Sequence, residues 1–120
     1  MSILPPIMVP NSEDIEAVAA VKEKIDANID MHYTIPQLAH DAAMSESKLK
    51  LLFHGQYRKS IYTYLKDKRV EEAKYLLTNT SLPLKNIAKK TGFKFQTNFT
   101  TFFTKHTGQP PAQYRKSTRQ

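Results

Sequence analysis

Apolar side chains recur three and four positions apart along most of this chain, the spacing that lines up one face of an α-helix. Ile15, Val18, Ala19, Lys22, Ile25 and Ile29 form the first such stripe, with a lysine stem inside it. Asn11 and Ser12 can cap that helix, and Glu13, Asp14 and Glu16 suit the positive end of its dipole. Thr34-Ile-Pro-Gln37 reads as a capping box with proline in the first turn, opening a second helix through Ala43. Ser45 can cap a third, running to about Gly55 on Leu49, Leu52 and Phe53. Ser60 starts a longer helix carried by Ile61, Tyr64, Leu65, Val70, Ala73, Leu76 and Leu77 to about Thr78, where Asn79-Thr-Ser81 breaks it. Pro83 opens a fifth that ends at Gly92, a natural place for a left-handed residue. A sixth runs from about Gln96 to Thr107, and Pro110 and Pro111 start a short seventh that ends near Lys116. No segment shows the alternation of a strand, so the expected class is all-α, with seven helices and short connections.

The pattern is written twice. Ile35-Pro-Gln-Leu-Ala-His-Asp-Ala-Ala-Met44 is echoed 49 residues later by Leu84-Lys-Asn-Ile-Ala-Lys-Lys-Thr-Gly-Phe93. Leu49, Leu52, Phe53 and Tyr64 are echoed 50 residues later by Phe99, Phe102, Phe103 and Tyr114. Each copy is a short helix, a tight turn and an amphipathic second helix. With about 40 residues, either copy is marginal as an independent core, so a shared connecting element is expected. The turns are not identical. Where the second copy has Gly92, the first has Ala43, which must either take a small strain or use a slightly different turn.

Charge changes the picture. The chain has 120 residues and a formal net charge of +7, but residues 1–47 carry −6 and residues 48–120 carry +13. After Glu72 there is no acidic residue. A merely solvated surface mixes both signs, so this asymmetry favours a polyanionic partner. With no cysteine, neither disulfides nor thiolate metal sites are possible. His32, His40, His54 and His106 show no ligand-like spacing, and no glycine-rich phosphate loop is present. An enzyme, a metal and a cofactor are therefore not expected. No apolar run approaches the roughly 20 residues that span a membrane. Residues 1–11, with three prolines, read as a flexible linker remnant, and the expected location is the cytoplasm.

The outer faces of the third and sixth helices carry the candidate chemistry. Opposite Leu49, Leu52 and Phe53 lie Ser47, Lys50, Leu51 and His54, with Lys48 on the flank. Opposite Phe99, Phe102 and Phe103 lie Thr97, Thr100, Thr101 and Thr104, flanked by Gln96, Asn98 and Lys105. Both helices offer a short polar ridge, acid-free along the positions named, and that suits a helix lying in the major groove of DNA. Lysine can donate to guanine O6 and N7, Asn and Gln can bond adenine, and Thr or Leu methyls can pack on the thymine methyl. Any surface helix is polar outside, but that alone explains neither four threonines, mediocre helix formers, on one ridge nor an exposed Leu51. Leu51 could instead cap a neighbouring apolar cluster.

The chain resembles the AraC/XylS family of bacterial transcription regulators in their DNA-binding domain. The resemblance rests on Gly92-Phe93, on Phe99-x-x-Phe102-Phe103-x-Lys105-x-Thr107-Gly108 and on Pro111-x-x-Tyr114-Arg115. Leu38-Ala39, Leu49-x-x-Leu52-Phe53, Tyr64-Leu65, Arg69 and Glu72-Ala73 extend it through the first half. It implies a homeodomain-like tandem over residues 12–116: one helix-turn-helix at about 34–55, a linker helix at about 60–78, a second helix-turn-helix at about 83–107, and a tail at 117–120. It further implies that the third and sixth helices read successive major-groove segments. A linker helix of about 17 residues would be roughly 26 Å long, compatible with recognition helices about one DNA turn, roughly 34 Å, apart. Base-facing residues would be Ser47, Lys48, Lys50, Leu51, His54, Gln96, Thr97, Asn98, Thr100 and Thr101; Ser45, Lys94 and Lys105 would hold the backbone. Two departures stand out. Many relatives carry arginine where this chain has Thr101, and Arg58 replaces, in register, the glycine usual near the end of the third helix. Relatives are also about twice as long, so a segment of a larger regulator is expected: monomeric alone, dimeric through a preceding domain, and partnered by RNA polymerase. The competing expectation is a basic module that binds proteins or RNA without reading DNA sequence.

Overall fold

The structure, a computed structural model, describes residues 9–119. Its elements are α1 (Ser12–Ala27), α2 (Ile35–Asp41), α3 (Glu46–Tyr57), α4 (Ile61–Asn79), α5 (Leu84–Lys90), α6 (Gln96–Thr107) and α7 (Pro111–Thr118). No strand occurs among the described residues. Most of the expected linker at 1–11 lies outside them. Of the rest, Val9 and Pro10 are exposed and Asn11 caps α1. The expected tail begins too early, because Ser117 and Thr118 still belong to α7.

The described residues divide into two compact units, one of residues up to 28 with 32–64 and one of residues 29–31 with those from 65 onward. In the first, α1 and α2 pack on α3. Asn11 and Asp14 close a reciprocal capping box at the start of α1. The buried stripe of α1 is Val18, Val21 and Ile25, whereas Ile15, expected inside, stays 42% exposed. Val21 lies one turn from Val18 and Ile25 and completes the narrow seam that α3 covers. At α2 only half the expected capping box forms. Thr34 Oγ1 accepts from Gln37 N at 3.3 Å, but Gln37 Nε2 donates to Asp41 Oδ1 at 2.9 Å. Phe53 meets Tyr57 and Tyr64 edge-on at 4.8 and 5.7 Å between ring centroids. The Tyr64 hydroxyl donates to the Asp26 carboxylate, which also pairs with Lys22. Burial, then that carboxylate, pushes the phenol up to about 12.

In the second unit Ala73, Leu76 and Leu77 of α4, Ile87 and Ala88 of α5, and Phe99 and Phe103 of α6 form one buried cluster. Leu82, Leu84, Phe93 and Tyr114 close around it. Two arginines of the family resemblance hold backbone here. Arg69 donates from Nε to Ile29 O at 2.8 Å and from Nη2 to Met31 O at 2.9 Å. Arg115 donates to the carbonyls of Leu76, Leu77 and Thr80, satisfying the C-terminal end of α4. Burial holds the Arg115 guanidinium below its usual range, with the nearby Arg119 charge adding to it.

The two helix-turn-helix copies make the same turn. Gly92 N donates to Lys89 O and Phe93 N to Ala88 O; Ala43 N donates to His40 O and Met44 N to Ala39 O. Ala43 takes a left-handed φ of 55° to do this, and Gly92 a φ of 94°. The first copy therefore keeps the geometry and carries the strain. The same substitution recurs at the ends of the second helices: Gly108 caps α6 at φ 86°, and Arg58 caps α3 at φ 62°.

Candidate nucleic-acid interface

In the first unit, Ser45 fixes the start of α3 by accepting from Lys48 N at 3.1 Å. Leu49, Leu52 and Phe53 are buried, which turns Ser47, Lys50 and His54 outward. Ser45, Ser47 and Lys50 line an open concavity with Pro36, Ala39 and His40 of α2, Met44 of the turn and the acidic Glu46 at the start of α3. Lys48 is directed elsewhere. Its Nζ lies 3.1 Å from Asp14 Oδ1, and this bond is the main reason the Asp14 carboxyl sits below the usual carboxylate range. Leu51 is 37% exposed but lines an apolar groove with Pro10, Ile15, Val18 and Leu52. Its free edge thus adjoins α1. Of the expected α3 residues, the structure brings Ser45, Ser47, Lys50 and His54 into one exposed surface and ties Lys48 and Leu51 to α1.

In the second unit, Phe99 and Phe103 bury the inner face of α6 against α5. Gln96, Thr97, Asn98, Thr101 and Lys105 are exposed, while Thr100 and Thr104 are half-buried. The threonine hydroxyls do not all point outward. Thr101 donates to Thr97 O at 3.1 Å, Thr104 to Thr100 O at 2.7 Å and Thr107 to Phe103 O at 2.8 Å. These protons are committed to the helix backbone, so Thr101 and Thr104 offer methyl groups and acceptor lone pairs. The ridge is accordingly more apolar than its composition implies. Lys94 is exposed just before the helix, and Lys89 and Lys90 are exposed at the end of α5. No acidic residue follows Glu72, so every formal side-chain charge near α6 within its own stretch of sequence is positive.

The sequence reading missed Arg69 and Arg115 as backbone clamps and Phe95 as an exposed ring. A hint existed for Arg115, which follows Tyr114 in a stretch without acids, but not for Arg69, whose neighbours Asp67, Glu71 and Glu72 suggest an ion pair instead. Among the described residues no group of three His, Asp or Glu could hold a metal ion. None of the described helices is long and apolar enough to cross a membrane.

Residues 38–117 match the family described as "Helix-turn-helix domain". The arabinose operon regulatory protein of Salmonella typhimurium is 34% identical over 86 residues, 72% of this chain and 31% of that protein. The chain belongs to the AraC/XylS family. The transcriptional activator RhaR of Escherichia coli K12 is 30% identical to this AraC-family chain over 92 residues, 77% of this chain and 33% of RhaR. The chain thus spans about a third of the length of these curated relatives, which exceed it by more than the factor of two expected from the sequence. Among solved structures, the C-terminal domain of the response regulator YesN from Fusobacterium nucleatum superposes with a TM-score of 0.75 at 31% identity, covering 83% of this chain and 98% of that domain. The DNA-binding domain of AdpA, solved with a target DNA, shares the fold with a TM-score of 0.77 at 23% identity, over 84% of this chain and 91% of that one. The two-copy, all-helical architecture of this AraC-family domain is the one expected from its sequence.

Proposed function

We propose that this domain binds double-stranded DNA sequence-specifically and regulates transcription, with α3 and α6 in successive major-groove segments. The observation that carries the reading is the repeated pair of helices. α3 buries Leu49, Leu52 and Phe53; α6 buries Phe99 and Phe103 at the matching positions with Phe102 half-buried; and each turns outward a polar ridge on a basic chain. Lys50 makes a charge-assisted contact to guanine or phosphate, and Ser47 and His54 flank it. On α6, Gln96 and Asn98 bond base edges, and the Thr97, Thr100 and Thr101 methyls favour thymine. Ser45, Lys94 and Lys105 hold the phosphate backbone. The first unit supplies most of the base discrimination and the second reads a T/A-rich segment more weakly. Lys48 and Leu51 contribute chiefly by seating α3 on α1. In a full regulator the domain acts on RNA polymerase in the bacterial cytoplasm; alone it is monomeric and gains a dimer partner through another domain.

The test is selection from a random duplex library, followed by gel shifts against excess random DNA and structured RNA. A specific reader enriches one site and holds it against competitor. Equal retention of every duplex, or displacement by RNA as easily as by the selected site, contradicts the proposal in favour of a nonspecific basic module.

A further inference from the structure

Phe95 is the one phenylalanine of six that the fold leaves in water. Phe53, Phe99 and Phe103 are fully buried, and Phe93 and Phe102 are half-buried in ring contacts with the α6 core. Phe95 is 56% exposed and takes part in none of the ring pairs found among the described residues. Its position makes this more telling. Phe95 is the N-cap residue of α6, and its counterpart 50 residues earlier is Ser45, which caps α3 with its hydroxyl. Phenylalanine cannot accept a hydrogen bond, and α6 has no side-chain cap. The chain has exchanged a helix-stabilising hydroxyl for a large apolar ring and gains little burial from it within the fold.

We infer that Phe95 is a further specificity-determining residue, its ring packing on the 5-methyl group of a thymine at the edge of the segment read by α6. The inference rests on the DNA-binding reading above. The ring is continuous with the proposed interface: exposed Gln96, Thr97 and Asn98 follow it directly. Lys94 Nζ lies 5.5 Å from the ring centroid, placing a cation beside it for the neighbouring phosphate. Within a basic, acid-free stretch the polyanion is the fitting partner, and the apolar feature a duplex presents in its major groove is the thymine methyl. The ridge threonines proposed above to favour thymine, exposed Thr97 and Thr101 among them, suit the same group, so ring and ridge select for one base.

The experiment compares the wild-type chain, Phe95→Ser and Phe95→Leu on the site selected by the wild type, with deoxyuridine replacing each thymine of the α6 half-site in turn. Phe95→Ser restores the cap of the first copy, so it is expected to melt no lower than wild type and still to bind several-fold more weakly. Removing the one methyl should weaken wild type about fourfold, the worth of one buried methyl-sized group, and leave Phe95→Ser unaffected. Phe95→Leu should keep part of the preference. Wild-type affinity and thymine preference retained in Phe95→Ser would overturn the inference. So would a loss of affinity with no sensitivity to deoxyuridine, which would put the ring on the sugar or on a protein partner. If the wild type selects no site, the DNA-binding reading itself falls and this inference with it.

Discussion

Gly92 and Gly108 both take positive φ, 94° and 86°, but their surroundings differ. A Cβ on Gly92 would sit 2.6 Å from Arg69 Nη2, whereas one on Gly108 would meet nothing within 4 Å. The guanidinium is the flexible end of its side chain, yet it is held by the Ile29 and Met31 carbonyls and lies 5.8 Å over the Phe93 ring. Displacing it breaks those bonds. Gly108→Ala is therefore expected to cost about 1 kcal/mol, from backbone strain alone, and Gly92→Ala about 2–3 kcal/mol, strain plus lost hydrogen bonds. Denaturant unfolding of the two variants checks the order; equal losses would mean that the Arg69 clamp contributes nothing. Arg58, left-handed and exposed, should gain several tenths of a kcal/mol on replacement by glycine.

At the scale of elements, α6 tests the packing and α3 the recognition. Phe103 is completely buried between Phe99 and Tyr114, at 5.9 and 5.4 Å between ring centroids. Phe103→Ala is expected to cost about 3–5 kcal/mol, as large aromatic truncations do. An unchanged melting temperature would contradict the packing of α6. Lys50→Ala should weaken binding to the selected site by about 1–3 kcal/mol and relax preference at one or two base pairs. Thr101→Ala should cost less, since its hydroxyl already donates to Thr97 O. A competition assay with each half-site varied separately checks this, and a larger effect at Thr101 would reverse the ordering of the two units.

These elements also show what sequence can carry. The bounds of α6 were legible to the residue, because its three echoed phenylalanines mark the helix and Gly108 with the prolines after it marks the end. So was the shared turn, although only the coordinates decide that Ala43 adopts the left-handed form. The partners of individual side chains were not legible. Lys48 stands at the right angle on α3 to flank the ridge, but Asp14, 34 positions earlier, draws its ammonium to α1. Leu51 is exposed on the wheel and adjoins Ile15 in the fold. Helical periodicity describes one helix at a time, and such pairings depend on how helices cross. Phe95 escaped for a related reason. A phenylalanine beside a phenylalanine-rich run reads as core until its burial is known.

At the scale of the molecule, the charge asymmetry and the two copies make separate predictions about the complex. If about five phosphates are engaged, by Lys50, Lys94, Lys105 and the lysines ending α5, log K should fall against log salt with a slope near −4 to −5. A flat salt dependence would exclude this mode of binding. The repeat makes the sharper demand: if both α3 and α6 enter the major groove, as proposed, the DNA carries two separate contacts, unequal in strength. The most direct measurement is a hydroxyl-radical footprint of the wild-type chain on its selected site, combined with interference by 7-deaza-adenine and 7-deaza-guanine, which remove the major-groove N7 at either purine. Two protected major-groove segments are expected on one face of the duplex, their centres about 10 base pairs apart, with Lys50→Ala and Thr101→Ala each thinning a different one. A single protected segment, or uniform protection without a period, would contradict the proposed binding mode.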